Sequence, residues 1–109
     1  MFQSKIFAFA LALAIVSPAA FGASKKGDPA RGKQVFRQCT PCHNADSTAK
    51  KMGPGLKGLF SRAKMTNGKK PTEQNVRAQI DNGGNGMPAY KDMLSDQEKL
   101  DLIAYLKTL

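Results

Sequence analysis

The sequence predicts an all-α domain in which three helices are joined by long loops. Three segments begin with a helix-start signal, and two of them carry apolar residues at helical spacing. No stretch alternates apolar and polar residues as a half-buried strand does. Because the chain has only 109 residues, it holds one domain at most.

The first helix is expected to start at Asp28-Pro29, an N-cap acceptor followed by proline at the first helical position. We expect it to run through Val35 and Phe36 toward Cys39. Gly32 lies in its interior, where glycine costs about 1 kcal/mol relative to alanine. A close crossing with another helix would justify that cost.

The second helix is predicted from Glu73 to Asn82. Thr72 is its candidate N-cap, and Gly83 is expected to end it. Val76 and Ile80 form its expected buried stripe.

The third helix is predicted to begin with the capping box of Ser95 and Glu98 and to run through Leu109. Its core stripe is expected to contain Leu102, Ile103, Tyr105, Leu106 and Leu109. Its polar residues are expected to face mainly solvent; they are Asp96, Gln97, Lys99 and Asp101. The remaining segments, 44–71 and 83–94, are rich in Gly, Pro, Asn and Lys. Loops that long in a small domain need something to wrap around.

Residues 1–22 have the pattern of a cleavable secretory signal peptide. Lys5 gives the positive start, residues 6–16 are apolar, Ser17-Pro18 breaks the helix, and Ala20-Phe21-Gly22 offers a cleavage site. Cleavage there would leave a domain of residues 23–109 in the periplasm. The alternative is an uncleaved N-terminal membrane anchor, since no charge occurs from Ile6 to Ser24.

Both cysteines and the single histidine of the chain fall in Cys39-Thr40-Pro41-Cys42-His43. This C-x-x-C-H spacing is the attachment signature for c-type haem. Two thiols on one helical turn can each bond one vinyl group of a haem, which places the following histidine under the iron as a ligand. The sequence therefore predicts one haem c.

Cysteines and a histidine at this spacing also have other uses in proteins. Cys39 and Cys42 could form a plain disulfide, or a thioredoxin-like redox pair, but no βαβ pattern surrounds them. A zinc site would need a fourth ligand, and the chain has no further cysteine or histidine.

Further segments accompany the motif in a fixed order. They are Gly32 and Phe36 before it, then Gly53-Pro54-Gly55-Leu56-x-Gly58-Leu59-Phe60-x-Arg62, Met87-Pro88-Ala89-Tyr90 and Asp101-Leu102-Ile103-Ala104-Tyr105-Leu106-Lys107. With the motif, they resemble the class I cytochromes c, small soluble proteins with one haem, and in particular the bacterial members. The resemblance implies the cytochrome c fold, in which three main helices and long loops wrap one covalently attached haem.

The resemblance also implies a methionine as the second iron ligand. Met87 is the preferred candidate, because it follows Gly83-Gly84-Asn85-Gly86, which lets the backbone approach a flat ring, and precedes Pro88. Met65 and Met93 fit better as gap-filling core residues. Met52 is expected on the histidine side.

Two more residues acquire roles by resemblance. The carbonyl of Pro54 is expected to accept the Nδ1 proton of His43, and this would orient the imidazole and strengthen it as a donor. Arg62 occupies the position of a family arginine that often faces a haem propionate.

If His43 and Met87 both bind the iron, no coordination position stays open for a substrate. The expected function is therefore electron transfer without catalysis or a small-molecule substrate. One alternative is a haem-bearing subunit of a larger periplasmic oxidoreductase. Another is a haem enzyme or gas sensor with an open sixth position.

The charge balance is 17 basic against 8 acidic residues, a formal net charge of +9. Such an excess favours redox partners with acidic docking surfaces, such as a dehydrogenase, a reductase or a terminal oxidase. The lysines expected near the haem edge are Lys33, Lys50, Lys51, Lys57 and Lys91. We expect a monomer that meets membranes only transiently or through partners. Nucleic acid is a poor alternative, because aromatic residues are not interleaved with the basic ones.

Overall fold

The structure is a computed structural model that describes residues 26–109. The predicted signal peptide over residues 1–22 lies outside the described residues, as do residues 23–25. Residues 26–109 form three α-helices, α1 (Pro29–Val35), α2 (Glu73–Asn82) and α3 (Asp96–Leu106), and two 3₁₀-helices over Phe36–Gln38 and Leu59–Ser61. The predicted all-α class is confirmed. No helix in this part of the chain is both long enough and apolar enough to span a bilayer.

All three helices begin where the sequence predicts. The Asp28 side chain accepts from Ala30 N at 2.9 Å, with Pro29 in the first turn. Thr72 Oγ1 accepts from the Asn75 amide at 3.1 Å. At α3 both bonds of the capping box form, at 3.1 and 3.0 Å. These caps satisfy amide groups that have no partner within their own helix.

The C-terminal ends of the helices differ more from the prediction than their starts do. The predicted second helix has the bounds of α2, whereas α1 ends at Val35 and continues as the 3₁₀-helix Phe36–Gln38. The third helix ends at Leu106 and does not reach Leu109. There the amides of Thr108 and Leu109 bond three residues back, to Tyr105 and Leu106, so the chain tightens into a turn.

The α1–α3 crossing explains the glycine inside α1. A Cβ on Gly32 would lie 1.9 Å from the Asp101 carbonyl oxygen and 2.7 Å from the Tyr105 Cβ. Since the nearest atoms belong to the α3 backbone, they cannot move aside cheaply. Phe36 packs one turn further on, with its ring centroid 5.4 Å from that of Tyr105.

In the described part of the chain, one apolar core lies between the helices and the segment over residues 55–60. Its buried members are Phe36, Leu56, Leu59, Val76, Ile80, Leu94, Leu102, Ile103 and Leu106. The predicted stripe of α2 is thus confirmed. Of the stripe predicted for the third helix, Leu102, Ile103 and Leu106 are buried, while Tyr105 and Leu109 are partly buried, and Leu109 lies beyond the end of α3.

Two polar residues of α3 contradict the prediction that they face solvent. Lys99 is 4% exposed and Asp101 is 3% exposed. Asp101 Oδ1 accepts from the Asp28 amide at 2.8 Å and from Gln97 Nε2 at 2.9 Å. Lys99 Nζ forms an ion pair with Asp81. Both charges are buried because each has a partner, the condition under which burial is tolerated.

Candidate functional site

A cavity of about 710 Å³ opens between the loops and the helices, and it is the centre of the candidate site. Leu59, Val76, Ile80 and Leu106 form part of its apolar lining. The six predicted site residues also line it: Cys39, Cys42, His43, Pro54, Arg62 and Met87. The fold therefore brings together residues that are up to 48 positions apart in the sequence.

The two cysteines face this cavity because the chain turns tightly after the 3₁₀-helix Phe36–Gln38. The Cys42 and His43 amides both donate to the Cys39 carbonyl, at 3.1 and 2.9 Å. Both cysteines are free, not joined in a disulfide. Burial, and to a lesser degree the neighbouring Cys42, raises the pKa of the Cys39 thiol to about 11. That thiol is therefore protonated at neutral pH.

His43 is oriented by the following loop. Its Nδ1 lies 2.8 Å from the Pro54 carbonyl oxygen. A carbonyl can only accept, so Nδ1 carries the proton, and Nε2 of the neutral ring has a lone pair free for a metal. Gly53 packs on the same ring, and a Cβ there would lie 2.4 Å from His43 Cε1.

Arg62 forms hydrogen bonds to the loop after Pro54 from the side of the cavity. Its guanidinium donates to the Gly55 carbonyl at 2.6 Å and to the Lys57 carbonyl at 2.8 Å. The guanidinium therefore fixes the segment that follows Pro54 and places a positive charge at the cavity wall.

Met87 follows a turn with an unusual backbone. Its four preceding residues all have positive φ: 61° at Gly83, 116° at Gly84, 52° at Asn85 and 90° at Gly86. Glycine adopts such angles without penalty, and asparagine tolerates them better than most residues do. Gly84 and Met87 close the turn with two backbone bonds of 3.0 Å.

Gln79 is a contact of Met87 that was not predicted from the sequence. Its Nε2 lies 3.6 Å from Met87 Sδ and 3.1 Å from the Gly83 carbonyl. Asn67 Nδ2 donates to Gln79 Oε1 at 3.1 Å, which fixes the amide with its NH₂ group toward the sulfur. The available signal was weak: Gln79 directly precedes the buried Ile80 in α2.

Three other methionines, Met52, Met65 and Met93, differ from one another in exposure and packing. Met93 is 64% exposed, so its expected role as a core residue is wrong. Met65 is partly buried, packs against the core and lines the cavity. Met52 is 79% exposed, and its sulfur lies 3.9 Å from Cys42 Sγ.

The donor set of the cavity fits a haem better than a bare metal ion. Two thiols can form thioethers, and an imidazole nitrogen and a methionine sulfur can bind iron. Within residues 26–109, no group of three or more His, Cys, Asp or Glu side chains could hold a metal ion. A zinc site is therefore not supported in this part of the chain.

Comparisons with known proteins agree with this donor set. The family model for cytochrome c matches residues 29–109. Cytochrome c2 of Blastochloris viridis is 35% identical over 94% of this chain and 90% of its own length. Cytochrome c6 of a Synechocystis strain is 38% identical over 72% of this chain and 63% of its own length.

A solved structure also matches. Cytochrome c6 of the diatom Phaeodactylum tricornutum has a TM-score of 0.57 and 30% identity, covering 75% of this chain and 93% of the diatom chain. The predicted fold is therefore confirmed. This chain belongs to the cytochrome c family; it binds one covalent haem c and is an electron carrier, not an enzyme.

Proposed function

We propose that this protein carries single electrons between periplasmic or membrane redox partners, on a haem whose iron is bound by His43 and Met87. One observation carries the proposal: the His43 imidazole, with its proton directed at the Pro54 carbonyl 2.8 Å away, lines the same cavity as the Met87 side chain. An imidazole nitrogen and a thioether sulfur are a ligand pair found in electron-carrying cytochromes.

Cys39 and Cys42 are proposed to attach the group covalently, which would keep it in place through repeated oxidation and reduction. The haem iron supplies one-electron redox chemistry. The chain itself contributes orientation and shielding: the Pro54 carbonyl holds the imidazole, Arg62 holds the loop that follows, and the apolar wall excludes water.

Two protein ligands would leave the iron no open position for a substrate. Thioether ligation raises the reduction potential relative to harder ligands. The Gln79 amide is proposed to add to this effect, since a donor 3.6 Å from the sulfur draws electron density from it. These features favour a carrier over a haem enzyme or gas sensor.

The ligand proposal is tested with optical spectra of the haem-loaded protein and a Met87→Ala variant. The starting protein should show a low-spin spectrum with a weak far-red sulfur–iron band, and carbon monoxide should leave the reduced form unchanged. Met87→Ala should lose the band and bind carbon monoxide. The matched control is Met93→Ala, which removes an exposed methionine and should behave as the starting protein. Carbon monoxide binding by the starting protein would favour an enzyme or sensor.

The proposed partners are redox proteins with acidic docking surfaces. Lys50 is exposed and lines the cavity, and the neighbouring Lys51 donates to the Thr40 carbonyl at 3.0 Å. These residues place positive charge beside the attachment motif, where an acidic partner would be attracted at rates that fall with salt.

Charge reversal tests this docking. Lys50→Glu should slow reduction by an acidic partner at low salt, and the difference should shrink as the ionic strength rises. Lys26→Glu makes the same change of charge at an exposed position that does not line the cavity, and it should have a smaller effect. Stable co-purification with one partner would instead favour a dedicated subunit of a larger oxidoreductase.

The periplasmic location is a proposal as well. It predicts that the periplasmic fraction contains a haem-loaded protein that begins at residue 23. A membrane-bound protein that keeps residues 1–22 would instead support the uncleaved anchor.

A further inference from the structure

An ion pair whose ammonium group is buried joins α2 and α3 to the segment that follows Met87. The Lys99 side chain on α3 is 4% exposed, and its Nζ lies 2.8 Å from Asp81 Oδ1 on α2. The same Nζ donates to the Lys91 backbone carbonyl at 2.9 Å. One ammonium group therefore links α3 to α2 and to a residue four positions after Met87.

The backbone strengthens this connection. Tyr90 N donates to the Ile80 carbonyl at 2.9 Å, and Lys91 N donates to the Asp81 carbonyl at 3.2 Å. Residues 90 and 91 are thus attached to the last turn of α2 through the main chain and to α3 through Lys99. On its other side, Met87 continues from the glycine-rich turn, whose sequence gives little intrinsic rigidity.

The carboxylate oxygen in this ion pair is itself buried. Asp81 Oδ1 is buried, and the Lys99 ammonium group 2.8 Å away compensates its charge. Arg77 Nε lies further off, at 3.7 Å from Asp81 Oδ2. Apolar side chains often stabilise a fold as well as a buried ion pair does. A charged pair differs from apolar side chains because it also fixes the positions of the atoms with which it forms hydrogen bonds. Here those atoms include the Lys91 carbonyl oxygen.

We propose that Lys99 and Asp81 are positioning residues that hold the segment after Met87 in place, so that the methionine sulfur stays on the iron. This inference rests on the proposed function, in which Met87 is an iron ligand. It adds that α3 controls the retention of that ligand through one buried ammonium group.

The test compares ligand retention with global stability in the haem-loaded protein. Denaturant titrations follow the far-red sulfur–iron band and the far-ultraviolet helix signal of the same samples. In Lys99→Leu, the band should disappear at a lower denaturant concentration than the helix signal does. While the helices are still folded, the equilibrium constant for loss of the band should rise about tenfold.

Lys107→Leu is the matched control. It makes the same substitution at the C-cap of α3 and also removes an ion pair to α2, with Glu73, but that pair is exposed. The separation between the two transitions should match that of the starting protein. If Lys99→Leu does not fold, Asp81→Asn replaces it, and a smaller shift in the same direction is expected.

Three results would contradict the inference. In the first, Lys99→Leu shifts both transitions in parallel, as a purely structural residue would. In the second, Lys107→Leu widens the separation equally. In the third, the starting protein lacks the sulfur–iron band, which would overturn the proposed Met87 ligation and the positioning role with it. The first two results leave the proposed function intact.

Discussion

Gly53 lies so close to the His43 imidazole that a methyl group does not fit between them. A Cβ at Gly53 would be 2.4 Å from Cε1, 2.8 Å from Nδ1 and 3.0 Å from Nε2. The next residue, Pro54, provides the carbonyl 2.8 Å from Nδ1. One turn therefore limits both the position of the ring and the direction of its proton.

Gly53→Ala should displace the imidazole and weaken its bond to the Pro54 carbonyl. A less basic imidazole stabilises ferric iron less, so the reduction potential should rise. Overpacking should also lower the free energy of unfolding by about 1–3 kcal/mol. Electrochemistry and denaturant titration measure the two effects. Gly32→Ala, an overpacking change at the α1–α3 crossing, is the control: loss of stability without a change in potential is expected there. An unchanged potential in Gly53→Ala would contradict the role of this turn.

Gly32→Ala itself tests the helix crossing. Alanine favours a helix over glycine by about 1 kcal/mol, so local propensity predicts stabilisation. A Cβ at position 32 would lie 1.9 Å from the Asp101 carbonyl oxygen, and this clash predicts destabilisation instead. We expect a net loss of about 2 kcal/mol in denaturant unfolding. Lys33→Ala on the exposed face of α1 should stay within about 0.5 kcal/mol of the starting protein. Stabilisation by Gly32→Ala would show that the helices can separate without cost.

Asp101→Ala tests the buried carboxylate of α3. It leaves the Asp28 amide without its acceptor and removes one of the two acceptors of Gln97 Nε2, the other being the Lys26 carbonyl. The free energy of unfolding should fall by about 2–3 kcal/mol. Asp101→Asn keeps an acceptor oxygen and should cost less. Asp92→Ala, at an exposed position, serves as the control in the same urea titrations. Equal stability of the Asp101 and Asp92 variants would refute a structural role for this carboxylate.

The helix starts were predictable because each depends on a few neighbouring residues. Thr72 and Asn75, or Ser95 and Glu98, are three positions apart and interact whatever the rest of the chain does. The burial of Asp101 was not predictable, because its partner Asp28 is 73 residues away in the sequence. Pairing of that kind depends on the helix crossing, which the sequence pattern does not place in detail.

Lys99 shows an error of interpretation rather than a missing signal. Leu102, Ile103 and Leu106 follow it by three, four and seven residues, so helical spacing puts Lys99 on the apolar stripe. Its charge led to the prediction of an exposed side chain. The Asp81 partner that makes burial possible lies on another helix and gives no sequence signal.

The candidate site likewise contains residues that the sequence predicts and a contact that it does not. Cys39, Cys42 and His43 form a contiguous motif whose chemistry can be inferred from spacing alone. The Gln79 contact with Met87 arises from the way the glycine-rich turn folds back on the end of α2. A motif search has no access to such a contact.

Gln79→Leu should lower the reduction potential, because the amide no longer draws electron density from the Met87 sulfur. A hydrogen bond contributes about 0.5–1 kcal/mol, which corresponds to about 20–40 mV for a one-electron couple. The matched control is Asn75→Ala, which removes an amide of the same helix that donates to the Lys70 carbonyl at 2.9 Å. Its potential should remain that of the starting protein. Protein-film or spectroelectrochemical titration measures both variants, and the sulfur–iron band should persist in each. A fall in potential accompanied by loss of the band would mean that Gln79 keeps Met87 bound to the iron and does not merely adjust the electron density of its sulfur. An unchanged potential would show that the 3.6 Å contact has no electronic effect.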